Sequence, residues 1–289
     1  MLTSEYVAVD GALVLAVPTK LGQDLRYSEI ENNDSLIFWR ACHQKKLWLK
    51  AVIDYKNWKI VGTNNLQASM FVLKIFKNIK ELSQTKFQNN CTYKFSTDLE
   101  FPENYGLGSS STLMNNLAEW AEIDPFLLNE KSLGGSGYDV AVAKEKSAIL
   151  YKNHPRFVEK IDYQPIFKDE LIFIHLNLKQ DSREGIAHYK SKPRSENLIK
   201  EYSELTKKIV AAENIELFSE LMQVHEQKLS DFLTIPTVKE KYFENCPVFI
   251  KSLGAWGGDF VLSRKFEDYK TYFSEKGFHK MFDWKNLIL

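Results

Sequence analysis

The chain has 289 residues, enough for one large or two ordinary domains, and a 44% hydrophobic content supplies a sizeable core. Lys plus Arg and Asp plus Glu number 38 each, so the net charge is zero, which argues against a general nucleic-acid binder. The three cysteines, Cys42, Cys91 and Cys246, are far apart and match neither a disulfide framework nor a zinc site. No signal peptide or membrane span is predicted. We therefore expect a cytoplasmic protein without membrane or nucleic-acid partners.

The N-terminal half is predicted to begin with strands. Residues 1–18 indicate two strands around a turn at Asp10-Gly11, because Asp-Gly between apolar runs is a strong hairpin signal. Residues 37–61 predict strands in a meander, with aromatic side chains packed on a sheet face. A helix is predicted over residues 65–82, where apolar residues recur at helical spacing, and a half-buried strand over residues 91–101.

A glycine- and serine-rich segment joins that strand to an amphipathic helix. In chain order it contains Gly106, Leu107, Gly108, Ser109, Ser110 and Ser111. The first turn of a helix carries unpaired N–H groups and the positive end of the dipole, glycines let an anion approach, and hydroxyls add donors or a metal ligand. Such a segment suits phosphate, although a glycine turn with a serine cap is the alternative. It is not a Walker A loop, because no Lys-Ser or Lys-Thr pair follows Gly108.

A second glycine segment follows a short predicted helix over residues 125–131, which has Pro125 at its first position. Residues 132–144, SLGGSGYDVAVAK, predict a flexible turn and then a helix that starts near Tyr138. Asp139 lies in the first turn of that helix, where the dipole favours a negative charge. It is either an ordinary helix-start carboxylate or a reactive group beside a glycine-lined wall.

The C-terminal half is predicted to form a second domain. A strand is expected at residues 148–151, and the polar stretch 152–164 indicates a boundary, which gives domains at 1–160 and 161–289. Further strands are predicted at 171–178, 260–262 and 278–284, and helices at 195–212, 214–233 and 266–276. His175 and His225 are interpreted as packed polar residues.

Three motifs in this order resemble the GHMP kinases, the superfamily of galactokinase, homoserine kinase, mevalonate kinase and phosphomevalonate kinase. GLGSSS before a helix is similar to their phosphate loop, and SGYDVA to the Ser-Gly-x-Asp-x-Ala segment of the mevalonate and phosphomevalonate kinases. The stretch from Lys251 to Gly258 is similar to their closing glycine turn. The family usually has Ala where this chain has Ser111, and Gly where it has Trp256; Asp259 adds a negative charge.

The resemblance implies an α+β fold of two domains. The N-terminal ATP-binding α/β domain corresponds to residues 1–160, and a C-terminal ferredoxin-like domain to residues 161–289. The Ser4–Gly11 stretch is similar to the second half of the family's opening motif. The Gly-Lys pair that usually precedes it has no counterpart, so either the first strand is truncated or this protein differs there.

The resemblance also implies roles for individual residues. The loop from Gly106 to Ser111 wraps the phosphates of ATP, Ser110 holds Mg²⁺, and Glu130 is a second, less well matched metal ligand. Asp139 is the catalytic base, which takes the proton of the acceptor hydroxyl. One tryptophan among residues 37–61 stacks on adenine, although the sequence does not select which.

Further residues are implied on the side of the acceptor substrate. They are Glu5, Lys20, Ser182, Arg183, Gly254 and Ala255, with Gln23, Asp24 and Lys179 as additional candidates. Lys20, Gln23 and Asp24 are equally well explained as solvated loop residues. Arg183 would pair with an anionic acceptor, whereas the alternative is a surface arginine at a capped helix start.

The resemblance implies an ATP-dependent small-molecule kinase, a monomer or homodimer, whose acceptor is mevalonate or phosphomevalonate. Alternatives within the superfamily are a sugar or homoserine kinase and an ATP-dependent decarboxylase. A different alternative is a weakly active or inactive nucleotide-binding protein, because Trp256 and Asp259 would crowd or repel phosphates. In the opposing interpretation, Trp256 points outward and Asp259 caps a strand.

Overall fold

The computed structural model of the protein describes residues 1–88, 90–178, 182–254 and 256–289, and for Glu103, Ser182 and Arg183 it describes the backbone only. Helices and sheets are both abundant, which confirms the predicted α+β class. Packing divides the chain into two compact units. Unit 1 comprises Met1–Lys20, Asn104–Leu107 and Glu145–Leu289, and unit 2 comprises Leu21–Glu103 and Gly108–Lys144.

The strands of the described chain are β1 (Val14–Ala16), β2 (Gln23–Glu31), β3 (Leu36–His43), β4 (Lys46–Asp54), β5 (Lys59–Thr63), β6 (Cys91–Leu99), β7 (Ala148–Lys152), β8 (Phe157–Ile161), β9 (Leu171–His175), β10 (Ile250–Leu253), β11 (Phe260–Arg264) and β12 (Met281–Asp283). The helices are α1 (Leu66–Leu82), α2 (Ser109–Ala121), α3 (Pro125–Ser132), α4 (Tyr138–Glu145), α5 (Ser182–Ser191), α6 (Glu196–Val210), α7 (Ile215–Leu233), α8 (Val238–Tyr242), α9 (Tyr269–Glu275) and α10 (Trp284–Leu287). Within the described residues, no helix combines the length and the apolar composition that crossing a membrane requires.

Unit 2 is built on a five-stranded sheet with the order β2-β6-β3-β4-β5. Its neighbouring strands are antiparallel except β3 and β6, which run parallel. Aromatic residues from three elements, Trp39 of β3, Phe76 of α1 and Trp120 of α2, join a single apolar core. This arrangement confirms the predicted meander and explains its aromatic content, because large apolar side chains on one sheet face need a helix layer to bury them.

The helix starts of unit 2 follow the capping rules. The Asn65 side chain accepts a hydrogen bond from Ala68 N at the start of α1, and Asp124 caps α3, which has Pro125 at its first position. These helices confirm the predictions for residues 65–82 and 125–131. The helices predicted after the two glycine segments are also present, as α2 and α4.

The N terminus differs from the predicted hairpin. Residues Val7–Asp10 form a 3₁₀ helix that ends at Gly11 in the left-handed conformation, with φ of 94°. The strand that pairs with β1 is β7, in antiparallel register from Val14 opposite Tyr151. The hairpin prediction is wrong because the Asp-Gly pair closes a helical turn, while β1 finds its partner more than a hundred residues away.

The polar stretch that predicts the domain boundary lies within a single compact unit of the structure. The polar stretch 152–164 contains β8, which pairs antiparallel with β7 and completes the three-stranded sheet β1-β7-β8. Because β1 belongs to the same sheet, the start of the chain packs with unit 1. The assignment of family domains to residues 1–160 and 161–289 stays a prediction.

The C-terminal part of unit 1 contains a four-stranded antiparallel sheet with the order β10-β11-β9-β12. Along the chain, β9 is followed by helices, then by β10 and β11, then by α9 and β12. This is the connectivity of a ferredoxin-like domain, as predicted. The helices α6 and α7 begin where expected, with Ser195 and Asn214 as N-caps.

Candidate active site

The start of α2 is open to an anion. Gly108 precedes the helix with φ of 80°, and no side chain among the described residues caps the first turn. A β-carbon on Gly108 would meet no atom of the described part of the chain within 4 Å. No acidic residue lies in the first turn, so the helix presents free N–H groups and the positive end of its dipole to open space.

The hydroxyls of this helix start divide into two groups. Those of Ser109 and Ser110 make no hydrogen bond to another described residue. The Thr112 hydroxyl, by contrast, is engaged with Gln23 Oε1 at 2.8 Å and with Ser109 O at 2.9 Å. The Ser109 and Ser110 hydroxyls are therefore available to a bound group, and Ser110 stays the predicted Mg²⁺ ligand.

The two glycine motifs meet through Asp139. The Ser111 hydroxyl donates a hydrogen bond to Asp139 Oδ2, and the backbone N–H of Val140 lies 3.0 Å from Asp139 Oδ1. Asp139 is half-buried in the first turn of α4, behind glycines with left-handed backbone such as Gly137, with φ of 82°. The carboxylate predicted as the base is thus tied directly to the predicted phosphate loop.

Asn115 forms a second link between the same helices. Its side-chain amide donates to Ser111 O at 3.2 Å and to Val140 O at 3.0 Å. It therefore joins the backbones of α2 and α4 without contacting the Asp139 carboxylate. Neither link could be predicted from the sequence, because local spacing does not indicate which side chain or backbone group of another helix Ser111 and Asn115 contact.

Glu130, the other predicted metal ligand, is exposed on α3. No hydrogen bond joins its carboxylate to Ser110 in the described part of the chain. Among those residues, no group of three or more His, Cys, Asp or Glu side chains is arranged to hold a metal. A role for Glu130 with Mg²⁺ stays a prediction.

The three polar residues predicted near the acceptor in the segment 19–26 all have partners. The Lys20 ammonium group donates to Lys285 O at 2.6 Å. The Gln23 amide oxygen accepts from Thr112, and Asp24 Oδ1 accepts from Asp98 N at 2.9 Å. Contact with an acceptor would compete with these bonds.

Unit 1 contains a buried charge cluster that joins Glu5 to the third glycine motif. Lys251 Nζ lies 2.7 Å from Glu5 Oε1 and 3.3 Å from Glu226 Oε2, and all three side chains are almost inaccessible. Burial raises the pKa of Glu5, although the charge of Lys251 opposes the shift. The carboxylate of Glu5, which is predicted to contact the substrate, is therefore buried and paired with Lys251. The signal that sequence analysis missed is a lysine inside an apolar strand, which needs a buried partner.

His225 lies in the same cluster. Its Nε2 accepts a hydrogen bond from Ser4 N at 2.7 Å and lies 3.7 Å from Glu5 Oε2. Burial, together with the charge of Lys251, lowers the pKa of His225 well below its ordinary value, so the ring is neutral. His175 is also buried. Both histidines are packed polar residues, as predicted.

The turn between β10 and β11 carries the departures from the family motif. Trp256 is buried and packs with Tyr6 and Tyr189, and its backbone N–H donates to Tyr6 Oη at 3.1 Å. The interpretation that Trp256 points outward is therefore wrong, because the ring fills an apolar core. The Asp259 carboxylate lies directly against Gly106, where a β-carbon would overlap it.

Several predicted substrate residues lie outside what the structure describes. Lys179 and Ala255 are outside the described residues, as are the side chains of Ser182 and Arg183. Gly254 is described and adopts the left-handed conformation, with φ of 70°. The backbone of Ser182 and Arg183 forms the start of α5.

Structural comparison covers almost the whole chain. Phosphomevalonate kinase from Streptococcus pneumoniae, solved in complex with phosphomevalonate and AMPPNP, is 15% identical and aligns over 97% of this chain and 96% of its own, with a TM-score of 0.68. Mevalonate kinase from Methanococcus jannaschii is 16% identical and aligns over 97% and 93%, with a TM-score of 0.66. The protein has the GHMP kinase fold.

The same GHMP fold is found in galactokinase from Lactococcus lactis, solved with galactose. It is 14% identical and aligns over 95% of this chain and 85% of its own, with a TM-score of 0.66. No family model and no curated protein sequence matches the chain. The same fold is thus found in proteins that were solved with different bound molecules, phosphomevalonate in one and galactose in the other.

Within this GHMP fold, the structure distinguishes the tryptophans that were considered for adenine. Trp39 belongs to the core of unit 2, and Trp58 packs against that core. Trp48 is exposed and stacks on His43, with ring centroids 4.8 Å apart and an angle of 25° between the planes. That one of these tryptophans stacks on adenine stays a prediction, and the rings of Trp39 and Trp58 are committed to packing.

Proposed function

We propose that the protein is an ATP-dependent small-molecule kinase whose acceptor is anionic, with mevalonate and phosphomevalonate as the first candidates. The observation that carries this proposal is the hydrogen bond from Ser111 to Asp139. It joins a carboxylate suited to accept a proton to a helix start suited to phosphate, inside the GHMP kinase fold. A glycine turn that served only as a helix cap would not require this carboxylate.

The phosphates of ATP are assigned to the loop from Gly106 to Ser111. The free N–H groups at the start of α2 bind phosphate oxygens, and the dipole favours their negative charge. The open space beside Gly108 permits close approach. Oxygen donors suit Mg²⁺, and the Ser110 hydroxyl is free to serve, with Glu130 as a proposed second ligand. Mg²⁺, when bound, neutralises charge on the transferred phosphoryl group.

Asp139 is proposed as the base for a hydroxyl acceptor. The acceptor oxygen bonds to the γ-phosphorus of ATP, and the bond from that phosphorus to the bridging oxygen of ADP breaks. The hydroxyl proton passes to the Asp139 carboxylate. A phosphate acceptor carries no such proton near neutral pH, so dependence on Asp139 distinguishes the two kinds of acceptor.

The residues proposed to bind the acceptor are fewer than the sequence suggested. Arg183 is retained as a proposed acceptor-binding residue, because a guanidinium group forms bidentate hydrogen bonds with carboxylate and phosphate. Glu5 is not retained, because its carboxylate is buried against Lys251. Lys20 would first have to leave Lys285 O.

The test is ADP release from Mg-ATP with mevalonate, phosphomevalonate, diphosphomevalonate, galactose and homoserine in turn. Turnover of one acceptor, lost in Asp139→Asn, supports both the kinase and its base. Asp34→Asn, at an exposed aspartate of unit 2, is the matched control and should keep wild-type turnover. Release of CO₂ with diphosphomevalonate would indicate the decarboxylase instead. Turnover that Asp139→Asn leaves unchanged for a hydroxyl acceptor would reject Asp139 as the base.

A second candidate function is nucleotide binding without efficient transfer. The Asp259 carboxylate against Gly106 favours it, because a negative charge beside the loop opposes bound phosphates. ATP binding measured by calorimetry, together with no turnover of any acceptor in the panel, would support this alternative.

A further inference from the structure

Ser111 stands apart from the other serines of the loop. Ser109 and Ser110 are half-buried, and their hydroxyls bond to no described residue, whereas Ser111 is only 3% exposed and its hydroxyl donates to Asp139. The motif that this segment resembles usually has Ala at this position. The hydroxyl is therefore an addition to the helix start, and its only hydrogen-bond acceptor among the described residues is the carboxylate.

Two hydrogen-bond donors, the Ser111 hydroxyl and the Val140 N–H, fix the orientation of the Asp139 carboxylate. Val140 N binds Oδ1 and the Ser111 hydroxyl binds Oδ2, so rotation of the carboxylate would break one bond or both. Each carboxylate oxygen has two lone pairs, and each donor uses one of them. Asp139 can therefore be held in one orientation and still accept a proton from a substrate.

The docking of the two helices is also supported by contacts that do not involve the Ser111 hydroxyl. Asn115 joins the backbone of α2 to that of α4 through Ser111 O and Val140 O. Apolar burial adds to this link, since Val140 and Ala141 of α4 are buried. The hydroxyl bond acts on the side chain of Asp139, while Asn115 acts on the backbones that carry it.

We propose that Ser111 is a positioning residue, which orients the Asp139 carboxylate toward the acceptor hydroxyl. This inference rests on the proposed function. It predicts that loss of the hydroxyl slows the chemical step and leaves substrate binding intact, because a misdirected base costs rate and not affinity.

The experiment compares Ser111→Ala, Ser111→Thr and Asn115→Ala in steady-state kinetics on the hydroxyl acceptor found in the panel. Ser111→Ala should lower kcat by roughly ten- to a hundredfold, with KM for ATP and acceptor within about twofold. Ser111→Thr keeps the hydroxyl and should recover most of the rate. Asn115→Ala should lower the melting temperature while kcat falls less than in Ser111→Ala.

A double variant separates positioning from a general weakening. In an Asp139→Asn background, Ser111→Ala should cause no further loss of kcat, because the hydroxyl acts only through the carboxylate. Additive losses would overturn the proposal. So would a Ser111→Ala enzyme as fast as the wild type, or one whose kcat and melting temperature fall in parallel with those of Asn115→Ala.

The failure of this inference is distinguishable from failure of the proposed function. A wild-type protein that binds ATP but turns over no acceptor rejects the kinase and, with it, any positioning role for Ser111. A wild-type kinase that is indifferent to Ser111→Ala rejects the positioning role alone. Because Ser111→Thr adds a methyl group in a buried position, a thermal melt of each variant accompanies the kinetics, and Ser111→Ala alone suffices if Ser111→Thr does not fold.

Discussion

Two carboxylates in this molecule, Asp139 of unit 2 and Glu5 of unit 1, were both predicted to serve the site, and the structure treats them differently. Asp139 is half-buried, receives two neutral donors and lies beside an uncapped helix start. Glu5 is fully buried and bound to Lys251. The difference teaches that a motif match identifies a carboxylate, while its accessibility and the charge of its partner decide whether it can react or only stabilise.

Among substitutions that compare the two carboxylates, Lys251→Met should have the largest effect on stability. Removing this ammonium group leaves Glu5 and Glu226 without their buried cation, so we expect a loss of about 3–5 kcal/mol in the free energy of unfolding. Urea unfolding measures it. Lys131→Met, which breaks the exposed pair with Glu81, is the control and should cost under about 1 kcal/mol. Equal losses in both variants would contradict the assignment of Lys251 to a structural cluster.

The next effect concerns the two glycines of the phosphate loop. Gly106 and Gly108 both have left-handed backbone, with φ of 61° and 80°, but only Gly106 has the Asp259 carboxylate where a β-carbon would lie. Each Gly→Ala change should carry a backbone cost of roughly 1–2 kcal/mol, and Gly106→Ala should cost more because Asp259 must move. Thermal melts compare the variants. Asp259→Gly should relieve Gly106→Ala and leave Gly108→Ala unchanged; relief of both would mean that the overlap is not the cause.

A smaller effect should appear as pH dependence of the buried cluster. The pKa of His225 is lowered in the fold, so below about pH 6.5 the unfolded chain binds a proton that the folded protein does not. Stability should therefore fall as the pH drops below that value, by up to about 1.4 kcal/mol per pH unit. His225→Gln keeps an acceptor for Ser4 N and should flatten this part of the profile.

The raised pKa of Glu5 works in the opposite direction. The contribution of Glu5 to the free energy of unfolding is present below its unfolded-state pKa of 4.5. It is lost as the pH rises through the higher pKa of the folded state. The pKa of His175 is also lowered by burial. The difference between the wild-type protein and His225→Gln in urea unfolding from pH 7 to pH 5 isolates His225, and parallel profiles would show that it does not contribute.

The smallest effect should follow Asp259→Asn. Removing the negative charge beside Gly106 should tighten ATP binding by about two- to fivefold at low salt and less at high salt, since screening weakens the repulsion. Calorimetric titration at two ionic strengths measures the change. Weaker binding in the variant would mean that Asp259 supports the loop.

Much of the local structure could be predicted because its signals are local. Period-two and helical patterns located the meander, α1, β6, α6 and α7, and Pro125 located the start of α3. The same reasoning failed at Asp10-Gly11, where a turn signal is compatible with either a hairpin or a helical turn. It failed again at residues 152–164, where polar composition concealed β8, since β8 exposes much of its length.

The sequence by itself determined the GHMP resemblance, the glycine loops that precede α2 and α4, and the candidates Ser110 and Asp139. Only the tertiary structure decided that Ser111 binds Asp139, that Lys251 seals Glu5, and that Trp256 enters a core. The physical reason is the sequence separation over which each kind of interaction acts. Periodicity, capping and glycine conformation act over a few residues, whereas the partner of a carboxylate is set by packing between segments far apart in the chain, such as Glu5 and Lys251.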